Sequence, residues 1–411
     1  MRKQIHVGAM ALMAALVLSA CGGQSGNSPD AQDHRESMKN FVTVDNVQDN
    51  TDRLSANGNF AVAVTSQGVV YAWGDNSQHE LDGTTSASNS PTPLLVPSMS
   101  GIQSVKAGVN HAVVLTADGR VVTWGSNVNG VLGTGNPNSA AGPQQVPSMS
   151  GIKAIGAGDG HTEALHASGV VWGWGTIGNV NAQATPQLIT GLSSIKAISG
   201  AGQFLIALRN DGTLWGVGSN SYGQLGTGIA HSNYATAPVQ IAGIANVQSI
   251  AVGYNHVLAL TTDGSVWAWG SNASGQLAQP LSTAYNAVPK KITGLNQVAS
   301  LFAGDNNSGV VYTNGKVMVW GNGESGALGD GKVGAGSVIS PAPVTASKLG
   351  IGGSFGANSV YMIQSDGSVI NSGSNTQGQL GSGNYSSEFS PVNVAGLGNV
   401  GQLHLGQLAP Q

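Results

Sequence analysis

The sequence predicts an all-β fold, a seven-bladed β-propeller of four-stranded antiparallel blades, and three observations carry that expectation. The first is a step into glycine that recurs seven times: Trp73-Gly74, Trp124-Gly125, Trp174-Gly175, Val217-Gly218, Trp269-Gly270, Trp320-Gly321 and Ser372-Gly373. The spacing is about 51 residues, with one gap of about 43 between the third and fourth; a period of that length with strand-turn-strand content marks one blade per repeat. The second is a turn dipeptide shortly before the step, as at Asp118-Gly119, Asp211-Gly212, Asp263-Gly264, Asn314-Gly315 and Asp366-Gly367. The third is composition. Glycine supplies 62 of 411 residues and charged residues only 8%, which suits many short strands joined by tight turns. The repeat overrides the two or three domains that length alone suggests, because blades of one ring form one domain.

Within a repeat, Gly253 to Leu277 shows the logic. Val257 to Leu260 is apolar and partly β-branched, which suits a buried strand. Asp263-Gly264 turns the chain, since Gly accepts positive φ without a Cβ clash. Ser265 to Trp269 alternates small or polar with large apolar residues, the period of a half-buried strand. An inner strand precedes each hairpin, as at Ile102 to Ala107. An outer strand is expected after Pro91, Pro143, Pro186, Pro238, Pro289, Pro343 and Pro391, because an edge tolerates the missing N–H. Val400 to Gly406 imitates an inner strand, Thr51 to Ser55 offers a rival, and Phe41 to Val44 looks like an outer strand. Terminal segments sharing one blade are therefore expected to close the ring.

The N-terminus reads as an address. Arg2 and Lys3 precede an apolar run from Val7 to Leu18, too short to span a bilayer and suited to a signal peptide. Leu18-Ser19-Ala20-Cys21 resembles the bacterial lipobox, and Cys21 is the only cysteine. That resemblance implies a palmitate-type lipid anchor on Cys21 and residence in the bacterial cell envelope. Gly22, rather than Asp, implies the outer membrane in a Gram-negative host. Gly22 to Asn40 has almost no apolar residue and reads as a tether. The expected organisation is 1–20 signal peptide, 21–40 lipidated Cys and linker, 41–411 propeller.

Blade five carries Gly253, His256, Leu260, Asp263, Gly264, Trp269, Gly270, Asn272, Gly275, Gln276 and Leu277, and blade two carries Gly108, His111, Leu115, Asp118, Gly119, Trp124, Gly125, Asn127, Leu132 and Gly133. Blades four and seven keep Gly-Gln-Leu-Gly at 223–226 and 378–381. This pattern resembles the regulator of chromosome condensation repeat family over about residues 51–406. The resemblance implies seven blades and a role in binding proteins; one bacterial secreted member inhibits β-lactamases through loop aromatics. The guanine-nucleotide exchange of the eukaryotic namesake is not expected, because no blade carries a clear inserted wedge. Blade three departs from the pattern by lacking the Gly-Gln-Leu-Gly turn. Blade one has His79-Glu80-Leu81-Asp82 there, and blade seven has Ser372 for Trp.

Net charge is −4 and no Lys/Arg cluster appears, which argues against nucleic acid. His111, His161 and His256 recur at one repeat position, yet Phe60, Phe204, Asn307 and Ser359 replace them elsewhere, so a metal ring is not expected. Only five Glu are present, and Asp159, His161 and Glu163 form the one dense polar cluster; no enzyme and no cofactor are expected. Tyr222, Tyr234, Tyr254, Tyr285, Tyr385 and Phe389 fall in loops and are the candidate contact residues for an unidentified envelope protein, since Tyr supplies rigid amphipathic area. A carbohydrate-binding or polysaccharide-processing propeller is the alternative.

Overall fold

The computed structural model describes residues 52–401, apart from 82–87, 178–181, 231, 333, 335 and 347, and apart from the side chains of 232 and 233. The expected signal peptide, Cys21, the tether, Phe41 to Val44 and residues beyond Gly401 lie outside the described residues. Blade one comprises β1 (Leu54–Asn57), β2 (Phe60–Val64), β3 (Val70–Gly74) and β4 (Ser90–Leu95). Blade two has β5 (Ile102–Ala107), β6 (His111–Thr116), β7 (Val121–Gly125) and β8 (Ala140–Gln145). Blade three has β9 (Ile152–Ala157), β10 (His161–His166), β11 (Val171–Gly175) and β12 (Gln183–Leu188). Blade four has β13 (Ile195–Ala201), β14 (Phe204–Arg209), β15 (Leu214–Asn220) and β16 (Ser232–Ile241). Blade five has β17 (Val247–Val252), β18 (His256–Thr261), β19 (Val266–Ser271) and β20 (Tyr285–Lys291). Blade six has β21 (Val298–Ala303), β22 (Asn307–Tyr312), β23 (Val317–Gly321) and β24 (Val338–Pro343). Blade seven has β25 (Gly350–Gly356), β26 (Ser359–Gln364), β27 (Val369–Gly373) and β28 (Glu388–Asn393). All seven sheets are four-stranded, in chain order, and inner strands neighbour one another around a closed ring in which β25 packs on β1.

The hairpins follow from the turn chemistry. In blade five, Gly264 takes φ +78°. The Asp263 carboxylate accepts from Thr261 Oγ1 at 2.6 Å and from the Ser265 amide at 3.1 Å. These bonds hold its pKa down to about 2, the Thr261 hydroxyl first. The step after Trp269 needs glycine: Gly270 has φ +99°, and a Cβ there would lie 2.4 Å from Asn255 O.

Blades adhere through the tryptophans. Five indole N–H groups each donate to a backbone carbonyl of the preceding blade: Trp124 to Glu80 O (2.8 Å), Trp174 to Val131 O (2.7 Å), Trp269 to Gln224 O (2.9 Å), Trp320 to Gln276 O (2.8 Å) and Trp73 to Gln379 O (2.8 Å). Ser372 makes the same kind of bond with its hydroxyl, to Gly326 O at 3.1 Å. All five indoles are fully buried, so each contributes apolar burial and satisfies a carbonyl that water cannot reach.

Two expectations change. Among the described residues each blade is built from four consecutive strands and no sheet draws strands from both ends of the chain; Leu54–Asn57 fills the inner slot of blade one. The C-terminal end still caps that blade. The Ser66 amide donates to Asn399 O at 2.7 Å, the Val400 amide donates to Gly367 O at 3.0 Å, and Val400 is buried in one cluster with Leu54, Trp73 and Tyr361. The outer-strand prolines lie within the strands, at the register shift opposite β3, β7 and their counterparts. The repeat position belongs to Pro93 and Pro341, two residues from Pro91 and Pro343. A bulge leaves its residues unpaired, which is where a missing N–H does no harm.

Candidate functional site

The loops that follow each inner strand and the longer loops that follow the third strand emerge on one face of the ring. A central channel holds a cavity of about 230 Å³ walled by the inner strands. At its mouth on the long-loop face stand three residues that each follow the glycine after an inner strand: Asp159, Tyr254 and Asp305, from blades three, five and six. Asp159 is anchored by its amide, which donates to Gly202 O at 2.9 Å.

Electrostatics couples these three groups. Burial pushes the Asp159 carboxyl up, opposed by a hydrogen bond from the Tyr254 hydroxyl and by His161. The Asp159 charge, then burial, pushes the Tyr254 phenol up to about 12, with Asp305 and Tyr222 adding smaller effects. Burial and then Asp159 push Asp305 up to about 6. Two carboxyls whose ionisation burial disfavours, Asp305 further opposed by the Asp159 charge, make the mouth a place where a cation is welcome. Lys106 and Asp52 pair at 2.6 Å elsewhere along the channel wall.

Tyr254 lines this mouth, with Tyr222 close enough to act on its phenol. Tyr222 and Tyr254 are 42% and 40% exposed, enough to offer a face to a partner while their backbones are fixed. Tyr234 reaches in from β16, donating its hydroxyl to Gln203 Oε1 at 2.7 Å. The remaining aromatics do not converge with them. Tyr285 opens β20, opposite Ser271. Tyr385, 50% exposed, donates to Asn89 O at 3.3 Å and so spans from blade seven to blade one. Phe389 packs against Gly326 of blade six. Tyr234, Tyr285 and Phe389 thus sit on outer strands rather than in loops, because those strands begin before the bulge.

The histidines are structural. His111 Nε2 lies 3.0 Å from Thr162 Oγ1 and His256 Nε2 lies 2.9 Å from Ser308 Oγ, each hydroxyl belonging to the next blade. Thr162 donates onward to Val131 O and Ser308 to Gln276 O, the same carbonyls that receive Trp174 and Trp320. The imidazoles explain a glycine: a Cβ on Gly108 would lie 2.1 Å from His111 Cε1. His161 turns instead to Glu163, at 2.9 Å, with both side chains fully buried. Cβ atoms on Gly156 and Gly200 would strike that carboxylate at 2.5 and 1.7 Å, so two inner strands have given up side chains to hold it. Among the described residues no three His, Cys, Asp or Glu side chains converge as metal ligands.

Sequence reasoning found Asp159 and Tyr254 separately and missed Asp305 and Gln203. The available signal was the column of residues just after each inner strand, where Asp159, Tyr254 and Asp305 stand in register.

Models of the regulator of chromosome condensation (RCC1) repeat match residues 52–80, 102–131, 195–224 and 247–276, and also 67–115, 118–165, 211–260 and 263–311. The ultraviolet-B receptor UVR8 of Arabidopsis thaliana is 28% identical over 325 residues, 75% of this chain and 73% of UVR8. The probable E3 ubiquitin-protein ligase HERC6 of Homo sapiens is 30% identical over 196 residues, 46% of this chain; that match spans only 19% of HERC6. Prp20p of Saccharomyces cerevisiae, solved with a study of its binding to Gsp1p and histones, has a TM-score of 0.72 at 20% identity over 84% of this chain and 88% of its own. At that identity the likeness shows the fold.

Proposed function

Since this chain belongs to the regulator of chromosome condensation repeat family, we propose that it is an interaction module held at the bacterial cell envelope by lipid on Cys21. Its long-loop face docks a protein partner around Tyr222, Tyr234 and Tyr254. The observation that carries this reading is the channel mouth, where the exposed Tyr254 stands beside Asp159 and Asp305, with the exposed Tyr222 next to it. Rigid aromatics beside partly buried acids suit a partner that presents a basic side chain. Relatives described by their binding to other proteins, such as Prp20p with Gsp1p and histones, support a binding role.

The test is capture from envelope extracts with the full chain, compared with Tyr222→Ala/Tyr254→Ala and with Tyr385→Ala. A protein lost at least tenfold by the double variant and kept by Tyr385→Ala is expected. Retention by the double variant removes the site, and retention of polysaccharide instead of protein removes the reading. Labelled palmitate should enter the wild type and not Cys21→Ser.

A further inference from the structure

At six of the seven blade junctions, the turn after the third strand of one blade meets a residue of the next blade that satisfies a turn carbonyl. In five of those six, the residue is tryptophan. Among the described residues, the junction between blades three and four shows neither part. Blade three passes from β11 to β12 through residues 176–182, where blade two uses 126–139, and it has no Gly-Gln-Leu-Gly turn. Blade four carries Val217 where the indole would stand.

The remaining walls are intact. Around Gly226 of blade four, a Cβ would meet Ile241 Cγ2 at 2.6 Å, Trp269 Nε1 at 3.1 Å and Pro289 Cδ at 3.5 Å. Ile189 and Pro238 are the counterparts of Ile241 and Pro289 at the junction without an indole. Ile177 takes the place of the turn leucine: its Cδ1 would lie 2.5 Å from a Cβ on Gly173, as Leu225 Cδ2 would lie 2.9 Å from one on Gly216. What is left is a cavity of about 160 Å³ between the blades, lined by Ile177, Leu188, Ile189, Val217 and Pro238, with Gln187 and Thr236 beside them. Val217 is only 4% exposed, so it forms the floor of an interior-type slot that opens outward.

We propose that this slot binds a planar aromatic ring of indole type supplied from outside the chain. Ile189 and Pro238 are the counterparts of the walls that hold the Trp269 indole, so shape complementarity to that ring is built into the repeat. The side chains of Gln187 and Thr236, which line the slot, carry acceptor oxygens for a ring N–H. Burial of the ring's faces supplies the affinity. The site lies between the outer strands and shares no residue with the channel mouth.

Fluorine NMR of 5-fluoroindole with the purified full chain tests this, with a Gly-Gly-Trp-Gly-Gly peptide as a second arm. Saturable binding of either probe is expected, weakened at least tenfold in Val217→Trp, which fills the slot from within. Should that variant fail to fold, Val217→Phe makes the same test with a smaller ring. Binding of the peptide points to a tryptophan on a polypeptide partner; binding of free indole alone points to a small molecule. No saturable binding of either probe to the wild type overturns the proposal, and so does binding undiminished in the filled variants.

Discussion

Glu80 stands where blades four, five and seven carry Gln224, Gln276 and Gln379. Each of those glutamines accepts from the amide two residues earlier and donates to an asparagine of the next blade: Asn255 at 3.2 Å, Asn306 at 3.2 Å and Asn59 at 3.4 Å. Glu80 keeps only the accepting half, taking the Gln78 amide on Oε2 at 2.8 Å, and its buried Oε1 has no partner. Burial pushes its pKa from 4.5 up to about 7. Between these values the folded state holds a proton that the unfolded state has lost, so stability falls as pH rises through the window and the penalty is complete above about pH 7. A shift of this size corresponds to about 3 kcal/mol. Glu80→Gln removes the ionisation and restores the donor. In urea unfolding it should exceed the wild type by about 3 kcal/mol at pH 8 and by under about 1 kcal/mol at pH 4.5. An equal gain at both pH values refutes the assignment.

Strands and turns were legible from the sequence because each is written in a few adjacent residues. Asp263-Gly264 sets a turn, and the alternation after it sets the strand face. The outer strands were less legible. Their register depends on a bulge that no local pattern marks, which is why Pro93 and Pro341 rather than Pro91 and Pro343 occupy the repeat position. The hydrogen bonds between elements were not legible at all, since Trp269 and Gln224 are far apart in the chain. They make a test. Gln276 O receives both Trp320 Nε1 (2.8 Å) and Ser308 Oγ (2.7 Å), while Gln224 O receives Trp269 (2.9 Å) and Val257, which has no hydroxyl, occupies the repeat position of Ser308. Trp→Phe removes similar volume at both sites but orphans a buried carbonyl only at the second. Trp269→Phe should therefore cost about 1–2 kcal/mol more than Trp320→Phe in chemical denaturation. Equal costs would mean that the indole bond contributes nothing beyond packing.

For the ring as a whole, the candidate site is a product of closure. Asp159, Tyr254 and Asp305 are near one another only because inner strands of three blades wall one channel, so each residue read alone looked like an ordinary loop group. The same closure buries the histidines that latch blade to blade, and this gives the molecule an acid limit. Burial holds His111 and His256 down to about 3, against about 6.5 in the unfolded chain. The unfolded state binds more protons across that window, so their contribution is complete above about pH 6.5 and is lost as pH falls. Glu80 and Asp305 act with opposite sign. Asp159 shares the sign of these two, so the raised carboxyls offset the histidines at mildly acid pH, and below about pH 4 the histidines dominate. Blade six shows what replaces one, since Asn307 occupies the position of His256. His256→Asn loses the bond to Ser308 and should cost about 1–2 kcal/mol at pH 7. Having no proton to gain, it should lose about 3 kcal/mol less than the wild type between pH 7 and pH 4. Urea titrations at those two pH values decide it: parallel losses in both proteins would mean that the acid limit lies outside the blade-to-blade latches.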